Sequence, residues 1–422
     1  MTSAVEFESP EQQVWTTTAP TLVRVALAGC GAVGSALLRE FDSRRAALAE
    51  RVGIEVRVVS VLVRDVQRER DATFDRSLLT TDVSEFLATE ADVVIEAIGG
   101  LDPARRIAET VLGRGQPLVT ANKLLLALHG SGLAHLARVN GTTLRYDAAV
   151  GGGVPILRVL DEALGAGGPT RVRGILNGTA NFVLTRIEAG ASFDEALNQA
   201  RAAGFAEADA SRDLDGRDAA DKIALIAWAA FGVAPESLPV RRQALLPDPA
   251  RYVALGARLG ASLRHVAECA LVDGEVVASV EPVLAPLDSA LARTRDEGNL
   301  AEVFTGWRAP LCASGPGAGG QPTAVALLSD LISTSAAPRR RELTRGATGD
   351  VRGFRWAVEV RGVPSLLHRT VRSCGQVHTN DTASVSWTTV QCATPAEISG
   401  LLQALEGAGA EPIAARYDEA CA

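Results

Sequence analysis

The first 150 residues alternate between short apolar runs and longer segments with helical spacing. The apolar, β-branched runs predict buried strands at residues 22–28, 54–63, 92–98, 117–120 and 142–150. Helical spacing between these runs predicts helices at residues 35–50, 103–112 and from residue 124 onward. Strands that alternate with helices in this way predict an α/β fold with a doubly wound parallel sheet.

A different pattern follows residue 155. It predicts, in order, a helix, a strand, a turn, a helix capped by Thr179 and a further helix (residues 156–164, 171–176, 177–178, 179–190 and 193–203). Residues 250–305 then alternate between apolar and polar with the period of a strand. This part is predicted to be a second, α+β domain with a mixed sheet.

The end of the chain predicts a third unit. Beyond a charged, glycine-containing linker at residues 338–353, the order is strand, helix, two hairpin strands, helix and strand (residues 356–362, 365–373, 377–381, 383–392, 398–409 and 412–418). This βαββαβ order is that of a small ferredoxin-like module.

These patterns divide the chain. We expect a flexible tail (residues 1–20), a first domain (residues 21–150), a second domain (residues 151–309), the linker and a C-terminal module (residues 354–422). A glycine-rich turn at Gly315–Thr323 precedes an apolar helix, and residues 310–337 are predicted to return and complete the first domain.

Composition narrows the functional classes. The net charge is -8 and no basic stripe stands out, which argues against nucleic-acid binding. No apolar run reaches the roughly 18 residues of a membrane span, and the acidic, polar first residues do not resemble a signal peptide. The six cysteines are scattered without a CxxC pair, which predicts free thiols in a reducing, cytoplasmic location and gives no zinc site.

A glycine motif follows the first predicted strand directly. It reads Gly29-Cys30-Gly31-Ala32-Val33-Gly34 and opens the first helix. In a Rossmann-type βαβ unit such glycines allow the tight turn, the close approach of a diphosphate and the packing of helix on strand. The helix N-terminus then offers its free N–H groups to the diphosphate. The motif predicts a dinucleotide site.

The end of the second strand bears on which dinucleotide binds. An NAD site wants an acidic residue there for the ribose 2′-hydroxyl. Here Arg64 precedes Asp65, which favours NADP(H), with Arg64 against the 2′-phosphate. The alternatives are NAD and an Arg64 that merely faces solvent.

Two further segments lie at predicted carboxyl ends of strands, where doubly wound sheets bind ligands. Gly99-Gly100 ends the third strand, and Ala121-Asn122-Lys123 follows the fourth. Lys123 is therefore a candidate ligand-binding residue, with a solvated lysine as the alternative.

An acidic run covers residues 204–222. It contains Glu207, Asp209, Asp213, Asp215 and Asp218, is closed by Lys222 and precedes an apolar helix. Asp218 and Lys222 are four residues apart, so a helix places them on one face. A solvated loop before a helix is the alternative interpretation.

Asp147 and the glycine run at residues 151–153 suggest a second kind of site. A carboxylate with exposed backbone carbonyls is a suitable ligand set for a hard cation. The alternative is a hinge between domains.

Six motifs together resemble the homoserine dehydrogenase family over residues 22–335. They are AGCGAVG, TANK, YDAAVGGGVP, GILNGTANFVL, GFAEADASRDLDGRDAADK and GPGAGGQPTA. The resemblance implies NAD(P)-dependent interconversion of L-homoserine and L-aspartate 4-semialdehyde in threonine and methionine biosynthesis. It also implies a homodimer or higher homo-oligomer. The C-terminal module is similar to the ACT domains that many members carry.

The resemblance also implies roles for particular residues. Lys222 is the implied proton-transfer residue, Lys123 a second cation between cofactor and substrate, and Asp218 the partner that orients Lys222. Substrate contacts are implied for Gly178, Thr179, Glu207 and Asp213. The cofactor would contact residues 29–34, Arg64, Gly99, Ala121, Lys123 and Gly317, and a monovalent cation such as sodium would bind Asp147 and the backbone of Val150, Gly152 and Val154.

The sequence departs from the family pattern in four places, one of which is the mild change of GTTNY to GTANF at residues 178–182. Ala210 replaces a proline of the acidic loop, and Asp147 replaces a glutamate. The C-terminal module has Arg361-Gly362-Val363-Pro364 where ACT domains commonly have an Asp-x-Pro-Gly turn. A related dehydrogenase of specialised amino-acid metabolism and a catalytically dead ligand-sensing homologue are the alternative functions.

Overall fold

The computed structural model describes residues 19–245, 248–306, 309–335, 354–361, 380–382, 385–392, 395–408 and 410–417. Only residues 19–20 of the predicted tail are described. The predicted linker at 338–353 and the predicted helix at 365–373 lie outside the described residues. The described strands form two sheets. None of the helices within this part of the chain has the length and apolar character needed to span a bilayer.

The first sheet is parallel throughout and has the strand order β3-β2-β1-β4-β5-β6. Its strands are β1 (Thr21–Ala28), β2 (Ile54–Leu62), β3 (Leu79–Thr80), β4 (Val93–Glu96), β5 (Leu118–Thr120) and β6 (Leu144–Arg145). The helices between them are α1 (Ala32–Ser43), α2 (Arg45–Ala47), α3 (Val83–Ala88), α4 (Ala104–Gly113) and α5 (Lys123–Val139), with a π-helical turn at Leu48–Val52 and a 3₁₀ turn at Arg76–Leu78. This order confirms the Rossmann-type prediction. It places the topological switch point, where doubly wound sheets bind ligands, between β1 and β4.

The predicted strand at residues 142–150 is wrong over most of its length. Only Leu144–Arg145 pairs with the sheet, and Asp147–Val150 forms a short helix, α6. Ala149 and Val150 are buried against helices of the second domain, so the apolar run is satisfied by packing and needs no strand partner. A short apolar run does not distinguish these two outcomes.

The second domain combines helices with a mixed sheet, as predicted. Its strands are β7 (Arg171–Ile175), β8 (Val240–Arg242), β9 (Ala261–Val272), β10 (Glu275–Pro286), β11 (Gly298–Phe304) and β12 (Leu311–Pro316). Its helices are α7 (Ile156–Gly165), α8 (Gly178–Glu188), α9 (Phe193–Ala202), α10 (Ser211–Leu214), α11 (Arg217–Phe231), α12 (Pro249–Arg258) and α13 (Ala290–Arg293), with a 3₁₀ turn at Pro235–Ser237.

Two local predictions in this domain are corrected. The cap of α8 is Asn177, whose side chain accepts from the backbone N–H of Ala180, and Thr179 lies inside the helix. The start of the strand-like stretch is the helix α12, because Asp248 caps it and Pro249 occupies its first position.

Helix α14 (Gly320–Ser335) packs against the first domain. Its residues Ala324, Leu327 and Leu331 share an apolar cluster with Val25 and Leu37. The cleft between the two domains is therefore bordered by the first glycine turn and by the glycine-rich turn before α14.

The C-terminal strands extend the second sheet. Strands β13 (Phe354–Arg361), β14 (Asn380–Thr382), β15 (Val385–Cys392) and β16 (Glu411–Tyr417) are antiparallel in the order β16-β13-β15-β14, and helix α15 (Pro395–Gly407) packs on them. Strand β16 also pairs in parallel with β10 at Val283–Arg416 and Leu284–Tyr417. The sheet thus runs without a break from the second domain into the C-terminal strands.

Ion pairs reinforce this junction. The Glu359 carboxylate accepts from Arg251 Nε at 2.7 Å and from Arg258 Nη1 at 3.0 Å. Arg416 donates to Glu268 at 2.7 Å and lies 3.2 Å from Glu281.

Candidate active site

The first glycine turn has the shape that a dinucleotide requires. Gly29 has φ of 102°, and a Cβ there would lie 2.5 Å from the Ala97 carbonyl oxygen. A Cβ at Gly34 would lie 2.0 Å from the Gly29 carbonyl oxygen, so both positions exclude larger residues. A Cβ at Gly31 would meet no atom within 4 Å, because this residue faces open space at the N-terminus of α1. That open space is suited to a diphosphate.

A cleft beside this turn contains three arginines. It is lined by Gly29, Cys30, Gly31, Gly99 and the loop after β2, including Arg64, Arg68 and Arg70. Arg70 donates to the backbone oxygen of Arg68 at 2.6 Å. Arg68 and Arg70 were not among the predicted residues, although three arginines within seven positions after β2 are a visible signal of an anion site.

A second cleft joins the cofactor turn to the acidic run. Its lining includes Val33, Gly99, Ala121, Lys123, Val150, Gly152, Asp218, Lys222 and Gly317. Residues predicted to bind cofactor and residues predicted to be catalytic therefore border one space. Ala32 and Gly34 lie behind it in the first turn of α1.

Lys123 and Lys222 converge on one carboxylate. Lys123 Nζ donates to Asp218 Oδ1, and Lys222 Nζ lies 2.9 Å from Asp218 Oδ2. Lys222 Nζ also donates to the backbone oxygen of Leu176 at 2.7 Å. Burial acts to raise the pKa of Asp218, but the positive charges of Lys222 and Lys123 outweigh it and hold that pKa well below its usual range. Asp218 is therefore a fixed anion between two amines.

These two residues are also the chain's only lysines. The sequence has 42 lysines and arginines together, and every cationic position other than 123 and 222 is an arginine. An arginine stays protonated at all ordinary pH values, whereas a lysine amine is able to lose its proton. The two positions that keep lysine are the two that share Asp218.

Asn177 connects two carboxylates of the acidic run. Its Nδ2 donates to Asp213 Oδ1 at 2.8 Å and to Asp218 Oδ2 at 2.9 Å, while its Oδ1 accepts from Ala180 N at 2.8 Å. Burial raises the pKa of Asp213, and the Asn177 hydrogen bond acts in the opposite direction. The sequence predicted only a turn here, so this side-chain role was missed. An asparagine at a helix start is the signal that was available.

The other predicted substrate residues are partly assembled. Gly178 and Thr179 begin α8 next to Asn177, and Thr179 Oγ1 donates to the Phe205 carbonyl oxygen at 2.5 Å. Glu207 lies exposed on the loop after Phe205, outside the group around Asp218.

Two acids of the run have structural partners instead of site contacts. Asp209 Oδ1 accepts from the backbone N–H of Ser211 at 3.0 Å. Asp215 pairs with Arg217 at 2.5 Å. The sequence left both residues without a role, and these contacts give them a local one.

Glu96 is a buried acid that sequence reasoning missed. Its side chain is 0% exposed, and it accepts from Ile98 N at 2.8 Å, Thr120 Oγ1 at 2.5 Å and Asn122 Nδ2 at 3.4 Å. Burial raises its pKa, although these hydrogen bonds act the other way. A single acid within an apolar strand was the available signal.

Asn122 connects the Glu96 hydrogen bonds to the helix that Lys123 begins. It donates to the Gly100 carbonyl oxygen at 2.6 Å and caps α5 by accepting from Leu125 N at 3.0 Å. Lys123 is the first residue of that helix. The ends of β4 and β5 are therefore fastened together through Glu96 at the point where Lys123 enters the cleft.

The predicted cation site has a different surrounding from the one expected. Asp147 Oδ1 accepts from Leu157 N at 3.1 Å, and Arg158 Nε lies 3.8 Å from Asp147 Oδ2. The carboxylate thus stabilises the first turn of α7 and faces the Arg158 guanidinium, and a second buried carboxylate, Asp330, accepts from Asp147 N at 2.9 Å. The cation site at Asp147, Val150, Gly152 and Val154 stays a prediction.

Comparisons with known proteins agree with this geometry. The family profile described as "Homoserine dehydrogenase, NAD binding domain" matches residues 29–147, and the profile described as "Homoserine dehydrogenase" matches residues 155–332. The homoserine dehydrogenase of Bacillus subtilis is 33% identical over 330 residues, which are 78% of this chain and 75% of that protein. That of Mycobacterium tuberculosis is 36% identical over 318 residues, 74% of this chain and 71% of its own.

Solved structures support the same assignment. The homoserine dehydrogenase of Thiobacillus denitrificans has a TM-score of 0.82 and 26% identity, with 95% of this chain and all (100%) of that chain covered. An S. aureus homoserine dehydrogenase covers the same shares with a TM-score of 0.77 and 26% identity. A hyperthermophilic archaeal homoserine dehydrogenase, solved with NADPH, shares the fold at a TM-score of 0.62, with 24% identity, 75% of this chain and 98% of its own covered. The chain belongs to the homoserine dehydrogenase family and is an NAD(P)-dependent oxidoreductase.

Proposed function

We propose that this protein interconverts L-homoserine and L-aspartate 4-semialdehyde, with Lys222 as the residue that transfers the proton. The observation that carries the proposal is the group of Lys123, Asp218 and Lys222, which borders the same cleft as Gly99 and Gly317. A hydride donor or acceptor must reach the reacting carbon while a proton-transfer group reaches its oxygen, and residues predicted for both roles line this cleft.

The oxidation of a primary alcohol removes a hydride from carbon and a proton from oxygen. Bound NAD(P)⁺ supplies the hydride acceptor when it is present in the cleft. The hydroxyl proton passes to the neutral amine of Lys222, which then holds it as an ammonium paired with Asp218 and hydrogen-bonded to Leu176. In the reverse direction the same ammonium returns the proton to the carbonyl oxygen of the semialdehyde.

The charges of the group suit this exchange. Two amines share the Asp218 carboxylate, and Asn177 holds a second carboxylate, Asp213, beside it. Lys123 enters from α5, on the cofactor side, and its positive charge is suited to a developing alkoxide. The two lysines therefore divide the work between charge stabilisation and proton transfer.

The substrate's α-ammonium needs a carboxylate near the proton-transfer group. Asp213 is positioned for this, because Asn177 holds it beside Asp218. Gly178 begins α8 where a Cβ would lie 2.7 Å from the Glu297 carbonyl oxygen, and Thr179 fastens the loop that contains Glu207. Glu207 is the predicted second ammonium ligand.

A steady-state assay with homoserine and each dinucleotide tests the function. Lys222→Ala and Lys222→Arg should both lower kcat by about 10²–10⁴-fold, the usual contribution of a positioned acid–base group. The arginine variant keeps the charge but not the ability to lose a proton. Arg217→Lys is the matched control on the same helix, because Arg217 pairs with Asp215 away from the lysine group. Wild-type turnover in either Lys222 variant would exclude the mechanism.

A panel of short amino alcohols separates this proposal from a related dehydrogenase of specialised metabolism. Homoserine should have the highest kcat/KM of the panel. A catalytically dead sensor would show no turnover with any member, and the intact lysine group argues against that alternative.

Three wider proposals accompany the enzymatic one. The C-terminal strand order β16-β13-β15-β14 supports an ACT-like module, which a titration of activity with threonine would probe. The family relationship supports a homodimer through the second sheet, measurable by light scattering. Buried free thiols at Cys30 and Cys269 support the reducing, cytoplasmic location that composition predicts.

A further inference from the structure

We infer that Asn177 is the positioning residue that sets the two carboxylates of this site to their different tasks, an inference that rests on the proposed roles of Asp213 and Asp218. Asn177 is 7% exposed and lies at the junction of β7 and α8. The sequence alone predicts only a turn at residues 177–178.

The geometry uses both ends of the amide. The two hydrogens of Nδ2 point to different residues, Asp213 at 2.8 Å and Asp218 at 2.9 Å. The oxygen accepts from Ala180 N at 2.8 Å and caps α8. An amide is the one neutral side chain that offers two donors and an acceptor in a single plane. The cap therefore fixes the orientation in which both donors face the carboxylates.

The same junction also holds the lysine. The backbone oxygen of Leu176, the residue before Asn177, accepts from Lys222 Nζ at 2.7 Å. Two adjacent residues, Leu176 and Asn177, therefore make hydrogen bonds with Lys222 and with both carboxylates. A small movement of the β7–α8 junction would displace all three together.

The two carboxylates differ in what else they contact. Asp218 has both lysines and stays ionised without help. Asp213 has no lysine in contact among the described ion pairs, and the charged groups that face it are Asp218, Lys222 and Lys123. Burial and the Asp218 charge raise the pKa of Asp213, and the Asn177 N–H opposes that rise. Asn177 therefore favours the charged form of Asp213, as Lys222 and Lys123 also do, and that form is the one that binds an ammonium.

Two substitutions at this position separate the cap from the bridge. Asn177→Ser keeps a good N-cap but cannot reach two carboxylates. Asn177→Asp also keeps a cap acceptor but places a third negative charge between Asp213 and Asp218. Asn181→Ser is the matched control, because Asn181 is a buried amide of the same helix that donates to Thr294 O and Gly298 O instead.

We expect Asn177→Ser to raise the KM for homoserine by about tenfold or more, the size of a lost hydrogen bond to a charged group, with a smaller loss of kcat. The acidic limb of kcat/KM against pH should move to higher pH, because Asp213 then protonates more easily. Asn177→Asp should show a larger loss and a larger shift of the same limb. The melting temperature of Asn177→Ser should stay close to that of the wild type.

Two results would overturn the inference. One is an Asn177→Ser enzyme with wild-type KM and an unmoved acidic limb. The other is an equal shift of that limb in Asn181→Ser, which would show a general loosening of α8. If the wild-type enzyme failed to oxidise homoserine, that result would contradict the proposed function but not the positioning role of Asn177. The acidic limb would then be measured with the best substrate of the amino-alcohol panel.

Discussion

At the scale of single residues, three arginines of the loop after β2 bear on the choice of dinucleotide. Arg64, Arg68 and Arg70 line the cleft beside Gly31, where the adenosine half of a dinucleotide would lie. A 2′-phosphate adds a doubly charged group that a guanidinium binds through paired hydrogen bonds. We therefore expect the loop to favour NADP(H) over NAD(H).

We expect Arg64→Ala to lower kcat/KM for NADP⁺ by about 10–100-fold, the range of one lost charged contact, and to leave kcat/KM for NAD⁺ nearly unchanged. Parallel kinetics with the two coenzymes measure the ratio. Arg57→Ala is the control, because Arg57 is a solvent-facing residue of β2, the strand before this loop, and lies outside the cleft lining. Equal losses with both coenzymes would contradict a role at the 2′-phosphate.

Sequence reasoning found residues whose role is local and missed residues whose role depends on distant contacts. The glycine turn and the Asp218–Lys222 pair lie within short motifs, and both were located correctly. The Asn177–Asp213 bond joins residues 36 positions apart, and the Glu96–Asn122 bond joins residues 26 apart. No spacing rule within one chain predicts such pairs.

At the scale of elements, the carboxyl ends of β4 and β5 behave as one unit. Glu96 ends β4 and accepts from Thr120 at the end of β5. Asn122, which follows β5, donates to Glu96 and to the Gly100 carbonyl oxygen after β4. The N-terminus of α5, and with it Lys123, is held by this buried network. Breaking a network of this kind is costly, because a buried donor that loses its partner has no water to replace it.

Glu96→Gln should lower the free energy of unfolding by about 1–3 kcal/mol, because the new amide would direct a donor at donors that now bond the carboxylate. The apparent affinity for the dinucleotide should fall as well, since Ile98 and Gly99 lose their anchor. Thermal unfolding and coenzyme titration measure these effects. Glu85→Gln is the control: it alters the same kind of bond, from Thr80 at 2.6 Å, on an exposed helix. A Glu96→Gln protein with unchanged melting temperature and affinity would refute the argument.

The errors in element assignment have one physical origin. The run at residues 148–150 and the start of the 250–305 stretch are apolar enough to be buried, and burial was the property the sequence showed. Whether a buried run becomes strand or helix depends on the partners that reach it. For α6 one such partner is α14, which comes much later in the chain, whereas α12 packs mainly on β9 and α8.

At the scale of the whole molecule, the continuous second sheet connects the C-terminal strands to the second domain. Strand β10 pairs with β16, and helix α12 packs against both parts through Leu255, Ala357 and Ala415. The sequence predicted a ferredoxin-like order but not this junction, because backbone pairing between β10 and β16 leaves no side-chain signature.

Glu359→Ala should destabilise the protein by about 3–5 kcal/mol, the usual cost of removing one partner of a buried ion pair. Glu359 and Arg251 have side-chain exposures of 1% and 8%, so Arg251 would be left charged and buried. Chemical unfolding measures the change. Glu109→Ala is the control, since its pair with Arg105 is 48% exposed on each side and should contribute at most about 1 kcal/mol. Similar losses in the two variants would contradict a buried junction.

The lysine content has a practical consequence for anyone who handles this protein. Acylating and aldehyde reagents attack unprotonated amines, and the only side-chain amines of this chain are the two that flank Asp218. Coupling to an amine-reactive surface or dye would therefore occur at the α-amino group or inside the cleft, and labelling in the cleft would block it. Bound dinucleotide should shield both lysines from such reagents, so the extent of labelling at residues 123 and 222 becomes a direct measure of how full the cleft is.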